Sequence, residues 1–291
     1  MQVVVALEDV RARVREARRA GVRIGFVPTM GALHEGHLSL VRQARARAGL
    51  VATSIFVNPL QFGPADDFAR YPRDPARDRA LAATAGVDLL WMPDAAAMYP
   101  SPPAVMVAPG QAGERLEGAS RPGHFAGVLT VVLKLFALVE PDVAIFGRKD
   151  FQQAALIRAM VRDFNLPVAI VVAPTVRERD GLALSSRNAY LDAPARAAAT
   201  ALCRALGRGV VAYRRGERRA AAITQAARLV LEGQAGVVPD YVECAAPDDL
   251  RPVETVEAET VLAVAARVGG TRLIDNVVLG DGLEGDVHLS G

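Results

Sequence analysis

Two of the chain's four histidines, His34 and His37, stand three residues apart in the run Pro28-Thr29-Met30-Gly31-Ala32-Leu33-His34-Glu35-Gly36-His37. An apolar run precedes it and an amphipathic run follows, so the pattern predicts a strand that turns into a helix with both imidazoles at the helix entry. A helix start exposes unpaired backbone N–H groups and the positive end of the peptide dipole, which suits a phosphate. Gly31 and Gly36 let the backbone approach such a group closely. Two imidazoles placed there can donate hydrogen bonds as charge develops on a phosphoryl group. The turn reads as a site of phosphate chemistry.

Of the 34 basic residues, 32 are Arg, and Lys134 and Lys149 are the only lysines. A chain with this bias has kept a Lys in Gly147-Arg148-Lys149-Asp150-Phe151-Gln152-Gln153, directly after an apolar β-type run. The carboxyl end of a strand is where α/β sheets place ligands, and a Lys is a mobile point charge suited to a phosphate. Lys134 lies in an apolar helical run, where snorkelling accounts for it equally well. Asn58 and Gln61, within Phe56-Val57-Asn58-Pro59-Leu60-Gln61-Phe62, follow another β-type run. Neutral amides fix hydroxyl and carboxylate groups without adding charge, although Asn-Pro is also a common turn opener. Ser185-Ser186-Arg187-Asn188 offers two hydroxyls and a guanidinium able to close over phosphates, or else a plain helix cap. Asp66, Asp67, Asp74 and Asp78 are candidate partners of a Mg2+ ion at one remove, an ion usually held by phosphates and water. His124 either borders the site or caps a following helix, and His288 reads as solvent-exposed.

These residues need a frame. Apolar β-type runs at 22–27, 51–57, 87–92, 143–146 and 168–172 alternate with helical patterns at 8–20, 37–48, 74–85, 128–139 and 151–164. Continuous apolar strands separated by helices predict a doubly wound α/β domain around a parallel sheet, Rossmann-like in plan. Loops rich in Pro and Gly interrupt it at 58–74, 93–103 and 109–123, and loops of that length are usually functional or mobile. Beyond about residue 174 the rhythm changes to helical tracts at 194–215 and 219–233, then β-type runs at 240–244, 261–267 and 271–279. That order predicts a smaller α+β domain. The expected division is 1–175 and 176–291.

A net charge of +2, with 23% charged and 51% hydrophobic residues, describes a folded protein and argues against a dedicated nucleic-acid binder. The longest mostly apolar stretch, 128–139, carries Lys134 and falls well short of the about 20 residues that span a bilayer. Residues 1–7 are apolar but no basic region precedes them, unlike a signal peptide. Cys203 and Cys244 alone build neither a disulfide framework nor a metal site. The expectation is a soluble, cytoplasmic protein with reduced thiols.

The HxGH signature resembles that of the nucleotidyl-transferase superfamily. With the segments at 56–62, 147–153 and 185–188 and with Arg121-Pro122-Gly123-His124-Phe125, in that order along the chain, the sequence is similar to the pantothenate synthetases, AMP-forming ligases of pantoate and β-alanine. The resemblance is dense to about residue 188 and thin beyond. It implies a catalytic set of His34, His37, Lys149 and Arg187. It implies ATP contacts from Met30, Gly31, Ala32, Leu33, His34, Glu35, Gly36 and His37, from Gly147, Arg148, Lys149 and Asp150, and from Val176, Leu184, Ser185, Ser186 and Arg187. Pantoate is implied at Gln61 and Gln153, β-alanine at Gln61, Mg2+ as a cofactor without a named protein ligand, and a homodimer as the assembly. Two positions depart from the family pattern: Arg148 stands where Glu is usual, and Leu184 where Met is usual. The Leu conserves volume, whereas the Arg places ATP contacts near 148 in question. Two other activities share parts of this pattern: a nucleotidyltransferase that keeps the nucleotide in its product, and a nucleotide-binding module without turnover. The first gives no reason for Gln61 and Gln153, and the second none for polar site residues that are all present apart from the change at Arg148.

Overall fold

Six parallel strands carry the first of two units in the chain, which comprises the described residues of Met1–Gly147 and Gln152–Ala173. The structure is a computed structural model that describes residues 1–63 and 68–289. The strands are β1 (Gln2–Val4), β2 (Ile24–Thr29), β3 (Leu50–Ile55), β4 (Leu89–Trp91), β5 (Val143–Gly147) and β6 (Ala169–Ala173), in the order β1-β4-β3-β2-β5-β6. Between them run α1 (Leu7–Arg19), α2 (Glu35–Arg45), α3 (Pro75–Ala85), the short α4 (Ala95–Met98) and α5 (Glu117–Ser120), α6 (His124–Val139) and α7 (Phe151–Asp163). Five strands fall on the expected apolar runs. The sixth, β1, is an edge strand pairing Gln2–Val4 with Leu89–Trp91, and three residues are too few to show a period.

Successive residues of one strand enter opposite cores. Phe26, Leu89 and Ala144 pack with Trp91, Phe136 and Ile157, while Val27, Leu90 and Ile145 pack with Leu33, Val41 and Ala44. A sheet buried on both faces is why its strands read as continuous apolar runs rather than alternating ones. The strand order reverses between β2 and β5, the switch point at whose carboxyl ends such sheets bind ligands. Two helices begin earlier than the periodicity suggests. Helix α2 starts at Glu35 rather than near 37, and α6 starts at His124 behind Gly123, whose φ of 81° only a residue without Cβ adopts easily.

The second unit comprises Arg148–Phe151 together with the described residues from Pro174 onward. Strand β7 (Val176–Arg177) leads to α8 (Ala193–Ala199), α9 (Ala201–Arg214) and α10 (Ala220–Glu232). An antiparallel sheet follows, β8 (Val237–Ala245), β9 (Val261–Val268) and β10 (Thr271–Val278), in the order β10-β9-β8. Leu202, Leu206, Ile223, Leu231, Val264 and Val268 form its separate core. The helical tract expected at 194–215 is two helices meeting at Thr200. Strand β8 begins three residues earlier than expected because Pro239 sits at a register shift on an edge strand, where a missing N–H is tolerated. Strand β11 (Val287–His288) pairs in parallel with β7, a contact no local pattern announces.

In the first unit, Asp142 ties α1 to the sheet: it accepts from Arg18 Nη1 at 2.8 Å and from the Ile24 amide at 2.7 Å. Partial burial pushes its carboxyl up, but the Ile24 and Arg18 hydrogen bonds outweigh that and hold it below the usual carboxylate value. Folding therefore favours the ionised form, and the stabilisation is complete above about pH 4 and is lost as the pH falls below it. Asp142→Asn is expected to lower Tm at pH 7 by on the order of 2 °C. Its Tm should then converge on that of the wild-type chain as the pH falls below about 4, read by calorimetry.

Candidate active site

The turn after β2 is held from the side by a carboxylate. Asp78, on α3 and 1% exposed, accepts from the Ala32 amide at 2.9 Å and from the Leu33 amide at 2.7 Å, one bond to each oxygen. Gly31 has φ 84° and Ala32 φ 49°, so the tether holds two consecutive residues in the left-handed region, where Ala pays a steric penalty. A Cβ on Gly31 would lie 2.9 Å from Asp78 Oδ2 and 2.9 Å from Ile55 Cγ2, which only glycine avoids. Thr29 Oγ1 closes the other side, donating to the Ser54 carbonyl at 2.8 Å and accepting from Gly31 N at 3.2 Å. Both carboxylate oxygens of Asp78 thus hold the backbone of this turn. Asp74 accepts from Arg77 N as the cap of α3, and Asp66 and Asp67 lie outside the described residues.

The turn delivers His34 as the residue before α2 and His37 in its first turn, with ring centroids 4.1 Å apart and planes at 40°. The His34 amide donates to His37 Nδ1 at 3.3 Å. An accepting Nδ1 puts the proton of the neutral ring on Nε2, so His37 presents a donor there. Met30, His34, Glu35, Gly36 and His37 are half-buried, and Leu33 is in the core. Glu35 pairs with Arg42 one helical face along.

A second set of groups fixes Gln61. Burial pushes the Tyr99 hydroxyl up to about 12, so at neutral pH it keeps its proton and donates to Asn58 Oδ1 at 3.0 Å. That orients the Asn58 amide, whose nitrogen donates to Gln61 Oε1 at 3.1 Å and to the Gly127 carbonyl at 3.1 Å. With its oxygen so engaged, Gln61 turns its NH2 toward Met30, at 3.1 Å from Sδ. The amide that meets the phosphate-type turn is therefore a donor, suited to a carboxylate or a carbonyl. Lys134 does more than snorkel: its ammonium lies 5.1 Å from the Tyr99 ring centroid and donates to the Met98 carbonyl. His124 opens α6, and its Nδ1 donates to the Gln61 carbonyl at 2.8 Å while Arg121 lies 3.2 Å from its Nε2. Close packing of α6 on residues 58–61 requires Gly127, where a Cβ would fall 2.2 Å from the Leu60 carbonyl oxygen. Gln153 is half-buried on α7. Gln152 is buried and binds Ala112 O, Arg115 O and Glu117 N.

In the second unit, Lys149 lies in the 3-10 turn Arg148–Asp150, its ammonium 3.6 Å from Asp150. Asn276 donates to the carbonyls of Arg148 at 3.1 Å and Lys149 at 2.7 Å. Leu184 donates its amide to the Val176 carbonyl at 2.9 Å, and Ser185 Oγ caps the turn Ser186–Tyr190 by accepting from Arg187 N at 3.3 Å. His288 is exposed on β11.

The structure brings Met30 to Gln61 and His34 to His37 in one unit, and Val176 to Leu184 in the other. The sequence singles out Asp78 only as a Mg2+ partner at one remove, and Tyr99 and Asn276 not at all, because each supports a segment distant in sequence.

Comparison with known proteins gives one family. A family model described as pantoate-beta-alanine ligase matches residues 2–278. The pantothenate synthetase of Moorella thermoacetica is 53% identical over 279 residues, 96% of this chain and 99% of that protein. That of Herpetosiphon aurantiacus is 52% identical over 96% of this chain and 100% of its own length. A crystal structure of pantothenate synthetase from Thermus thermophilus superposes with TM-score 0.90 at 46% identity, covering 96% of this chain and 99% of that one. A pantoate-beta-alanine ligase from Francisella tularensis, complexed with beta-gamma ATP and beta-alanine, gives TM-score 0.78 at 32% identity, covering 97% and 99%.

Replacing Asp78 by Asn keeps the volume but turns an NH2 toward one of the two amides. The unmade bond should cost about 1–3 kcal/mol. Faster hydrogen exchange at Ala32 and Leu33, with little change in the second unit, is the expected signature.

Proposed function

The chain belongs to the pantoate-beta-alanine ligase family, and from that premise we propose that it joins (R)-pantoate to β-alanine, with ATP cleaved to AMP and pyrophosphate by way of a pantoyl adenylate. The observation that carries this reading is the Gln61 amide, oriented through Tyr99 and Asn58 to present a donor beside Met30 and the histidine turn. Adenylation of a carboxylate needs a carboxylate site next to a phosphate site, and a nucleotide-binding module has no use for the first.

In the first step a pantoate carboxylate oxygen attacks the α-phosphorus of ATP, and the bond to pyrophosphate breaks. Most of what this asks of the protein is in-line placement and neutralisation of charge. Gln61 and Gln153 hold pantoate, and Gln61 also meets β-alanine. Residues 30–37 bind the phosphates, with His34 and the Nε2–H of His37 donating to oxygens that gain charge. Lys149 and Arg187 add cationic charge on the phosphates, and Val176, Leu184, Ser185 and Ser186 contact the nucleotide, as do Gly147, Asp150 and the backbone of Arg148. In the second step the β-alanine amine attacks the acyl carbon, AMP leaves, and the amine proton passes to solvent. The mixed anhydride is water-sensitive, so the site must exclude water between the steps.

Among the described residues no group of three or more His, Cys, Asp and Glu side chains could hold a metal ion. Mg2+ enters in this reading on the ATP phosphates, where such an ion is usually held, as part of the substrate. The reading takes the active form as a cytoplasmic homodimer, which light scattering coupled to size exclusion checks by a mass of two chains.

Purified protein with Mg2+ and ATP should release AMP only when both pantoate and β-alanine are present. AMP release independent of either one would remove the ligase assignment. For the adenylation step, Lys149→Ala should lower pantoate-dependent exchange of pyrophosphate into ATP by about a hundredfold or more. Undiminished exchange would take Lys149 out of that step.

A further inference from the structure

Arg148 stands where the family pattern has Glu, and the structure gives it a use that a Glu could not serve. Its Nη1 lies 2.6 Å from Asp281 Oδ2, and its Nη2 donates to the Gly285 carbonyl at 2.9 Å and to Asp286 Oδ1 at 3.0 Å. The Asp286 side chain is 3% exposed, and its other oxygen accepts from Arg177 Nε at 2.6 Å. Arg177 in turn grips Asp275 with both Nη atoms, at 2.7 and 3.0 Å. The result is a chain of charges, Asp281–Arg148–Asp286–Arg177–Asp275, within the second unit. The next residue after Asp275, Asn276, donates to the backbone carbonyls of Arg148 and Lys149. Side chain and backbone of the turn 148–150 are thus fastened to the same frame, on either side of Lys149. A Glu at 148 would instead face two carboxylates.

We propose that Arg148 is a positioning residue for Lys149. It straps the turn that carries the lysine to the segment around Asp281–Asp286, so that the ammonium reaches the ATP phosphates from a fixed backbone. This rests on the role given to Lys149 above. Asp281 and Asp286 are the companions that make Arg serviceable at this position, and the three residues act as one unit.

The test is pantoate-dependent exchange of pyrophosphate into ATP, measured as maximal rate and as KM for ATP, in single and double variants. Arg148→Ala should lower the maximal rate about tenfold, as expected for a displaced catalytic group, with a smaller change in KM. Arg148→Glu should be worse, and adding Asp281→Arg to it should restore at least part of the rate. In a Lys149→Ala background, Arg148→Ala should have no further effect, because the group it positions is already gone. An equal loss in both backgrounds would reduce Arg148 to a stability role and overturn the proposal. So would full exchange in Arg148→Ala and Arg148→Glu alongside a Lys149→Ala variant that has lost it. Full exchange in Lys149→Ala would instead sink the underlying role of the lysine. Should Arg148→Ala fail to fold, Asp281→Asn carries the same comparison, since its carboxylate is half-exposed and outside the core.

Discussion

A guanidinium with no exposure to water organises the second unit. All five N–H groups of Arg177 find acceptors: Asp286 at Nε, Gly181 O and Asp275 at Nη1, and Asp275 with the Asn276 carbonyl at Nη2. Burial alone would lower its pKa, but the two carboxylates more than reverse that and hold the charge in place. A buried charge left without one of these partners is strongly destabilising, so residues 177, 181, 275–276 and 286 must converge together. The candidate site segments of this unit hang from that convergence. Strand β7 carries Val176, and its carbonyl takes the Leu184 amide ahead of Ser185. Asn276 holds the backbone of the Lys149 turn, and Asp286 reaches Arg148.

The first unit uses the same logic with less charge. Asp78 is a buried carboxylate satisfied by two amides, and what it secures is a left-handed pair of residues ahead of the helix that carries His37. Tyr99, kept protonated by burial, sets the sense of two amides in series and so decides which end of Gln61 faces Met30. In both cases a buried group, itself fully engaged, determines which hydrogen-bonding capacity its neighbours present. Positioning by buried polar groups is demanding because each unmade bond carries a full desolvation cost.

Five strands of the parallel sheet were legible in the sequence because burial on both faces produces apolar runs that need no partner to be recognised. Boundaries were less so. Helix α6 begins at His124 because Gly123 takes a positive φ, and helices α8 and α9 part at Thr200 within one uninterrupted helical composition. Strands β1, β7 and β11 are two or three residues long and exist only through their neighbours. Lys134 illustrates the same divide within the site. Its rarity was visible, but its place over Tyr99 was not.

Local chemistry is readable from order alone. Strand and helix periods, the glycines of the histidine turn and the strand-to-turn position of Lys149 involve residues within a few places of one another, where chain connectivity already dictates proximity. Partner choice is different. Asp78 binds an amide 45 residues away and Arg148 a carboxylate 133 residues away. Many acids along the chain would satisfy either group equally well in isolation. Which one does so follows from the segments that hydrophobic burial packs together, because only there does leaving a polar group unpaired become costly.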